Sequence, residues 1–347
     1  MTRHSVTTTL SILLPVLLLL AIGNLLFGSV DIPFTDVWGA LAGGEVERES
    51  WRYIVLESRL PQTVTAMLCG ASLAVSGLIL QTTFRNPLAG PSILGITNGA
   101  SLGVALVMLF AGGAIKVAVS GVFSISIASF AVVIAAFLGA VVIILLLLFI
   151  STLVASELML LIVGILISYL TSSVVLLLNV FASADNVQSY VMWGMGSFSD
   201  TTLAQLPWVA LFSILALICA LMMIKPLNVM LLGDMYAQNL GADTRSIRRM
   251  LLIVTGVLTA IATATCGPIS FIGLAVPHMA RLFARTSDNM VLLPATILMG
   301  AIVALLCNLI CVIPEATLLP INAVTPLFGV PVIIYIMLHK RGKSSTL

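Results

Sequence analysis

The sequence predicts an all-α membrane protein of about ten transmembrane helices, and three observations predict it. Of 347 residues, 60% are hydrophobic and only 8% charged, against about 25% charged in ordinary soluble domains. The mean hydropathy is +1.21. Apolar stretches of the roughly 20 residues needed to cross a bilayer recur from end to end. The whole chain, residues 1–347, therefore reads as one membrane domain with little left for a soluble module.

The first apolar stretch, 10–28, follows Arg3 and His4. Its flanks are those of a signal peptide, but the run is long enough to span and no clear small-x-small cleavage site follows, so it counts as the first span. Further stretches at 61–81, 92–110, 115–149, 158–181, 203–224, 250–270, 291–313 and 323–338 bring the hydropathy count to nine. The basic residues supply the tenth. Lys225 with Arg245, Arg248 and Arg249, and Lys340 with Arg341 and Lys343, form two clusters that the positive-inside tendency places in the cytoplasm. Arg281 and Arg285 form a third group. If it too is cytoplasmic, residues 250–285 cross and return, and both termini lie inside. At about 1.5 Å per residue that stretch is too short for two full helices. One of them must be short or broken, and Gly267, Pro268, Gly273 and Pro277 supply the breaks. The loop 29–60, which mixes acids with Arg48, Arg52 and Arg59, is then outside.

Sliding the chain against itself by 190 residues pairs Arg59 with Arg249, Val64-Thr65 with Val254-Thr255, Gly77 with Gly267 and Pro87 with Pro277. Five spans separate the copies, so the second runs through the membrane upside down. The expected halves are about 59–182 and 249–338. Inverted repeats recur in transport proteins, whose binding sites lie where helices are interrupted at matching places in the two halves. Here those places are Arg85-Asn86-Pro87-Leu88-Ala89-Gly90-Pro91 followed by Gly95, Asn98, Gly99 and Gly103, and Gly267 through Gly273 to Pro277-His278. Broken backbone at membrane depth is tolerated only where protein or a water-filled cavity satisfies it, which makes both segments candidate pathway elements. Gly99 and Gly103 also fit close helix packing, with equal weight.

Several function classes fall away. A net charge of +2, spread over short loops, is no nucleic-acid surface. Cys69, Cys219, Cys266, Cys307 and Cys311 all lie in apolar stretches, and Cys307 and Cys311, one turn apart, lack a third ligand nearby. They read as packing, and neither a disulfide, a metal site nor a cofactor is expected. An intramembrane enzyme would need a nucleophile with a base. The three histidines, His4, His278 and His339, stand apart, and His278 reads as a structural hydrogen-bonding group.

The energy source must lie elsewhere. An ion-coupled carrier usually keeps an ionisable relay in the membrane, and these spans are almost free of charge. Such a secondary transporter is the alternative reading. A phosphate-binding loop is also missing: Gly342-Lys343-Ser344 lacks the preceding glycine and strand. A partner must hydrolyse ATP, and the cytoplasmic loop 231–249 offers it a surface. There Asp234 can cap a short helix, Gly241 can end it, and Asp243 or Thr244 can start another. Two short amphipathic helices with a tight turn make a rigid knob.

The segments Arg59-Leu-Pro through Gln81-x-x-Phe84-x-Asn86-Pro87-Leu88-Ala89-x-Pro91-x-x-Leu94-Gly95-x-x-Asn98-Gly99-Ala100, Leu232-Gly233-Asp234-x-x-Ala237-x-x-Leu240-Gly241 and Gly267-x-Ile269-x-Phe271-Ile272-Gly273-Leu274-x-x-Pro277-His278-x-x-Arg281 together resemble the signatures of FecCD-type permeases. These are the membrane subunits of siderophore, haem and cobalamin ABC importers. The resemblance implies a type II ABC importer permease in a bacterial inner membrane, not an enzyme, that moves an iron chelate or cobalamin. It implies a homodimer with the pathway on its axis, two ATPase subunits, and a substrate-binding protein docking outside. Coupling to the ATPase would fall on Gly233, Asp234, Ala237, Leu240 and Gly241. The cytoplasmic gate would map onto Asn86 and Leu88, and onto Ser156 and Glu157 between the fourth and fifth spans. Binding-protein docking would use Arg59, although the second arginine of that pattern is Gln62 here and a third falls near Cys311.

Overall fold

The computed structural model describes residues 6–110, 124–154, 157–313 and 319–341, and every element among them is helical. Helix α1 (Val6–Leu26) leads to two short helices, α2 (Phe34–Ala42) and α3 (Glu49–Tyr53). From α3 a π-helical turn, Ile54–Arg59, runs without a break into α4 (Leu60–Thr83). Helix α5 (Ile96–Ala105) likewise ends in a π-turn, Leu106–Phe110. Then come α6 (Ser124–Leu153), α7 (Glu157–Phe181), α8 (Ala184–Gly194) and α9 (Leu206–Met222). The remainder is α10 (Ile224–Leu231), α11 (Asp234–Asn239), α12 (Thr244–Cys266), α13 (Ile272–Ala284), α14 (Asn289–Val312) and α15 (Ile321–Arg341).

Among the described residues six helices are long and apolar enough to span, and the pair α9 and α10, bent by 48°, makes a seventh when taken as one span. Three shorter apolar helices, Ile96–Phe110, Ile272–Ala284 and Ile321–Ile334, complete ten membrane segments. The short tenth helix demanded by the basic clusters is α13. Of the stretch expected at 115–149, the described part is helical from Ser124 and runs on to Leu153 as α6; Lys116 lies outside the described residues.

Helix α4 forms the shaft of the molecule. Nearly all its side chains are buried, and they are small: Gly70, Ala71, Ser72, Ala74, Ser76 and Gly77. A methyl added at Gly70 would strike the carbonyl of Gly300 in α14, and one at Gly300 would strike that of Gly70. Lipid is as apolar as leucine, so helices associate here through close backbone approach and not through hydrophobic exclusion.

The packing is two-fold in its logic. Helix α4 packs on α14 as α12 packs on α6; α5 packs on α6 and α7 as α13 packs on α14 and α15; α4 touches α13 as α12 touches α5. Helices α4 to α7 thus match α12 to α15 element by element. Residue by residue, the 190-residue register does not carry over. Gly77 sits inside α4 with its Cα facing the backbone of Gly273, whereas Gly267 ends α12 with φ 72°. Pro87 lies in the turn after α4, and Pro277 lies inside α13. Repetitive apolar sequence aligns at several offsets, and only tertiary contact chooses among them.

Candidate transport pathway and coupling site

Two faces of the bundle carry the sites. One, the α11 face, holds the turn after α4, the α10–α11 loop and the α13–α14 turn. The other, the α2 face, holds the α1–α4 connection, α8 and the α12–α13 loop.

The first interrupted segment follows α4. Arg85 takes a left-handed conformation (φ 45°) that breaks the helix, and the Asn86 side-chain oxygen accepts the Leu88 N–H at 2.9 Å, closing an Asx turn. Pro87 and Leu88 are exposed there, while Ala89, Gly90 and Pro91 turn inward and are buried. The second interrupted segment follows α12. Gly267 ends that helix, and Phe271, again left-handed (φ 67°), starts α13. Among the described residues, two of the three non-glycine residues with positive φ therefore stand in the segments named from sequence, and such strain, on the order of 1–2 kcal/mol per residue, persists only where the surroundings enforce it.

The surroundings are each other. A methyl on Gly273 would meet the Pro91 ring at 3.0 Å, so the two segments touch backbone to ring. His278 bonds the Pro87 carbonyl at 2.8 Å, the structural role expected of it. Gln81 donates to the Leu274 carbonyl at 3.1 Å and accepts from Arg281 at 2.6 Å. These bonds latch α13 onto the end of α4. On the α2 face Asn322, at the start of α15, accepts the Ser270 N–H at 3.0 Å and donates to the carbonyls of Gly194 and Pro268. It satisfies the freed backbone of the broken helix, as membrane burial requires. Neither the Gln81–Arg281 latch nor Asn322 was singled out from sequence.

Gly95 (φ 79°) begins α5 against Gly164 and Ser168 of α7, and Asn98 donates to the Ser168 carbonyl at 3.3 Å. Elsewhere on α7, turned away from Ser168, Ile162, Leu166, Tyr169 and Leu170 are exposed. Gly99 is a correction: together with Gly103 it faces Gly139 of α6 at backbone contact, so both serve helix packing. Glu157 opens α7, its side chain outside the described set, and Ser156 lies outside the described residues altogether.

The knob is built differently from expectation in one respect. Gly233 (φ 89°), not Asp234, occupies the N-cap of α11. Asp234 stands in the first turn and pairs with Arg248 of α12 at 2.7 Å. Gly241 (φ 82°) ends α11, and Asp243 caps α12 by accepting from the N–H groups of Arg245 and Ser246, both at 3.1 Å. The second helix of the knob is thus the first turn of a full span. Ala237 is fully buried beneath, while Leu232, Met235, Tyr236 and Leu240 project, an apolar surface of the kind that marks an interaction site. The knob is anchored twice more. Gly233 lies against the Arg85 guanidinium, and Asn228 of α10 donates to Asp288 at 2.9 Å while accepting from Asn289.

Arg59 is the second correction. It is 4% exposed, and its guanidinium donates to the carbonyls of Leu25, Leu26 and Val30 at the end of α1. A helix C-terminus leaves carbonyls without partners, and Arg59 caps them; it presents no charge to a docking protein. Gln62 belongs to a buried ladder as well. It donates to Asn308, which donates to Asn24 at 2.7 Å, tying α4, α14 and α1 together. Among the described residues no group of three His, Cys, Asp or Glu side chains could hold a metal.

The family model of the FecCD transport family matches residues 16–339. The chain belongs to that family. It is 33% identical over 303 residues to a vitamin B12 import system permease protein BtuC of Klebsiella pneumoniae, covering 86% of this chain and 87% of that one. A protein of the same description from Salmonella paratyphi A is 32% identical over 287 residues, 82% of this chain and 83% of the other. Among solved structures, a chain described as a metal-chelate type ABC transporter in an inward-facing conformation superposes with TM-score 0.79 at 27% identity, covering 97% of this chain and all of that one. This FecCD chain is accordingly a multi-pass permease of an ABC importer, a transport component and not an enzyme, and its family implies ATPase and substrate-binding partners.

Proposed function

We propose that this permease carries an iron chelate or cobalamin inward across a bacterial inner membrane by alternating access, as a homodimer on which two separate ATPase subunits and one substrate-binding protein act. On this reading the α11 face is cytoplasmic and the α2 face external, as the basic residues around α11 and α12 favour. The single observation that carries the reading is the contact of the two interrupted segments at Pro91 and Gly273, one from each half. Two halves joined at their breaks, with α4 to α7 matching α12 to α15, form the plan on which rocking motions alternate access.

Asn86 and Leu88 form the cytoplasmic gate with residues 156 and 157, Asn98 borders the pathway, and the α11 knob receives the ATPase. Drive by an ion gradient is disfavoured: among the described residues, Glu157 is the only carboxylate within α1, α4 to α7, α9 and α12 to α15. The neutral, apolar faces suit a large chelate delivered by a binding protein. That the sequence relatives are B12 permeases and the structural relative a metal-chelate transporter supports this cargo class.

The test is uptake into proteoliposomes that hold the permease with its cognate ATPase and binding protein. Cobalamin, ferric siderophore and haem are offered separately. ATP-dependent accumulation of one of them is expected; accumulation driven by a proton or sodium gradient without the ATPase would replace this reading with a secondary carrier. Impermeant thiol reagents should label Ser50→Cys and Ser246→Cys from opposite sides.

A further inference from the structure

A cavity of about 1250 Å³ lies between α6, α9 and α12, roofed by α8 and the loop that follows it. It is separate from the contact between the interrupted segments, whose own cavity, about 160 Å³, is lined by Pro91, Phe271 and Gly273. The larger cavity exceeds the roughly 300–1,000 Å³ typical of small-ligand pockets. Its wall changes character along its length. At the α8 end stand Ser189, Ser197, Asp200, Thr201 and Gln205; below them the lining is Phe137, Phe212, Leu215, Val257 and Ile261. Along α9 it runs from Gln205 to Cys219, which at ~1.5 Å per residue is about 21 Å. One leaflet of a bilayer, headgroups included, is also about 21 Å, half of the ~40–45 Å total. Trp193 and Trp208 flank the polar end, at the depth where indole rings gather in membranes.

Charge at the mouth narrows the occupant. Asp200 is the one charged side chain lining the cavity among the described residues, and it is exposed. An anionic headgroup would be repelled there, and a headgroup that carries an ammonium would be attracted. Gln62, Thr265 and Asn308 also line the cavity but carry no charge, and most of the remaining wall is apolar.

We propose that this cavity binds one bilayer phospholipid with a primary amine in its headgroup, the amine at Asp200 and the acyl chains along α9 between Phe137 and Ile261. The leaflet, external, rests on the orientation proposed above; the site itself does not.

The full-length protein is placed in nanodiscs of equal phosphatidylethanolamine and phosphatidylglycerol with a trace of phosphatidylethanolamine carrying a diazirine on one acyl chain. After photolysis, the α9 and α12 peptides that line the cavity should be labelled at least fivefold above the exposed α7 peptides. Excess unlabelled phosphatidylethanolamine should compete at least fivefold better than phosphatidylglycerol. Filling the cavity with Cys219→Trp and Val257→Phe should lower that labelling at least fivefold in protein that elutes as the parent does, and Asp200→Asn should abolish the headgroup preference. Even labelling of α7 and α9, or equal competition by the two lipids, overturns the proposal, and both are read on the parent protein. Cross-linking of Phe212→Cys to a second copy with loss of lipid labelling would also overturn it. Reversed sidedness of Ser50→Cys and Ser246→Cys would move the lipid to the other leaflet and leave the labelling intact.

Discussion

Gln81→Leu should destabilise the permease by about 3 kcal/mol. Gln81 is 4% exposed and makes two bonds to α13: it accepts from the Arg281 guanidinium at 2.6 Å and donates to the Leu274 carbonyl at 3.1 Å. A bond to a charged group contributes about 1.5–3 kcal/mol and a neutral one about 1 kcal/mol. Leucine fills much of the same space, so cavity terms stay small and the loss is that of the latch, with Arg281 left facing an apolar side chain. At about 2 °C per kcal/mol for a large domain, the unfolding midpoint in detergent, followed by tryptophan fluorescence, should fall by ~6 °C. Gln81→Glu separates the two bonds. It keeps an acceptor for Arg281, now charged, and gives up only the bond to Leu274, so its midpoint should fall by ~2 °C. ATP-driven uptake should track the latch, lost in the leucine variant and largely kept in the glutamate one. A leucine variant that melts within ~1 °C of the parent, or two variants that behave alike, would refute the latch.

Gly241→Pro should detach the ATPase while membrane insertion is retained. Proline cannot reach φ 82° and removes the N–H that donates to Gln238 at 2.9 Å; co-purification of the two subunits is the check. Arg59→Ala should cost about 2–3 kcal/mol in thermal unfolding through the freed carbonyls of α1, yet leave the salt dependence of binding-protein attachment unchanged, because Arg59 offers no surface charge. Asn322→Ala should release the loop 267–271, seen as faster hydrogen exchange at Ser270, at a cost of about 2–4 kcal/mol for bonds to Ser270, Gly194 and Pro268.

Features with a local cause were legible in the sequence. Apolar length located nine spans, and the basic group at Arg281 and Arg285 demanded the tenth, α13. Glycine and proline marked both interruptions, because left-handed backbone and missing donors leave a compositional trace. Asp243 was readable as a cap for the same reason. What depended on partners was not. Gln81 and Arg281 lie 200 residues apart, and neither residue's neighbours in sequence announce the other. Arg59 looked like a surface charge in an outside loop; only the returning end of α1 buries it. Gly99 fitted packing and pathway alike until α6 was placed against it. The 190-residue register failed in the same way, since small apolar residues repeat too often for sequence alone to choose the offset.

The anchoring of the knob bears on how force would enter the protein. Packing of α10 on α4, the Asp234–Arg248 pair and the Asn228–Asp288 bond hold the α10–α11 unit to three separate helices, α4, α12 and α14. A lever fixed at one point can swing without moving its mount. One fixed at three cannot, so a stroke applied at Met235 and Tyr236 would be shared at once by shafts from both halves, and little of it would be wasted in bending the loop.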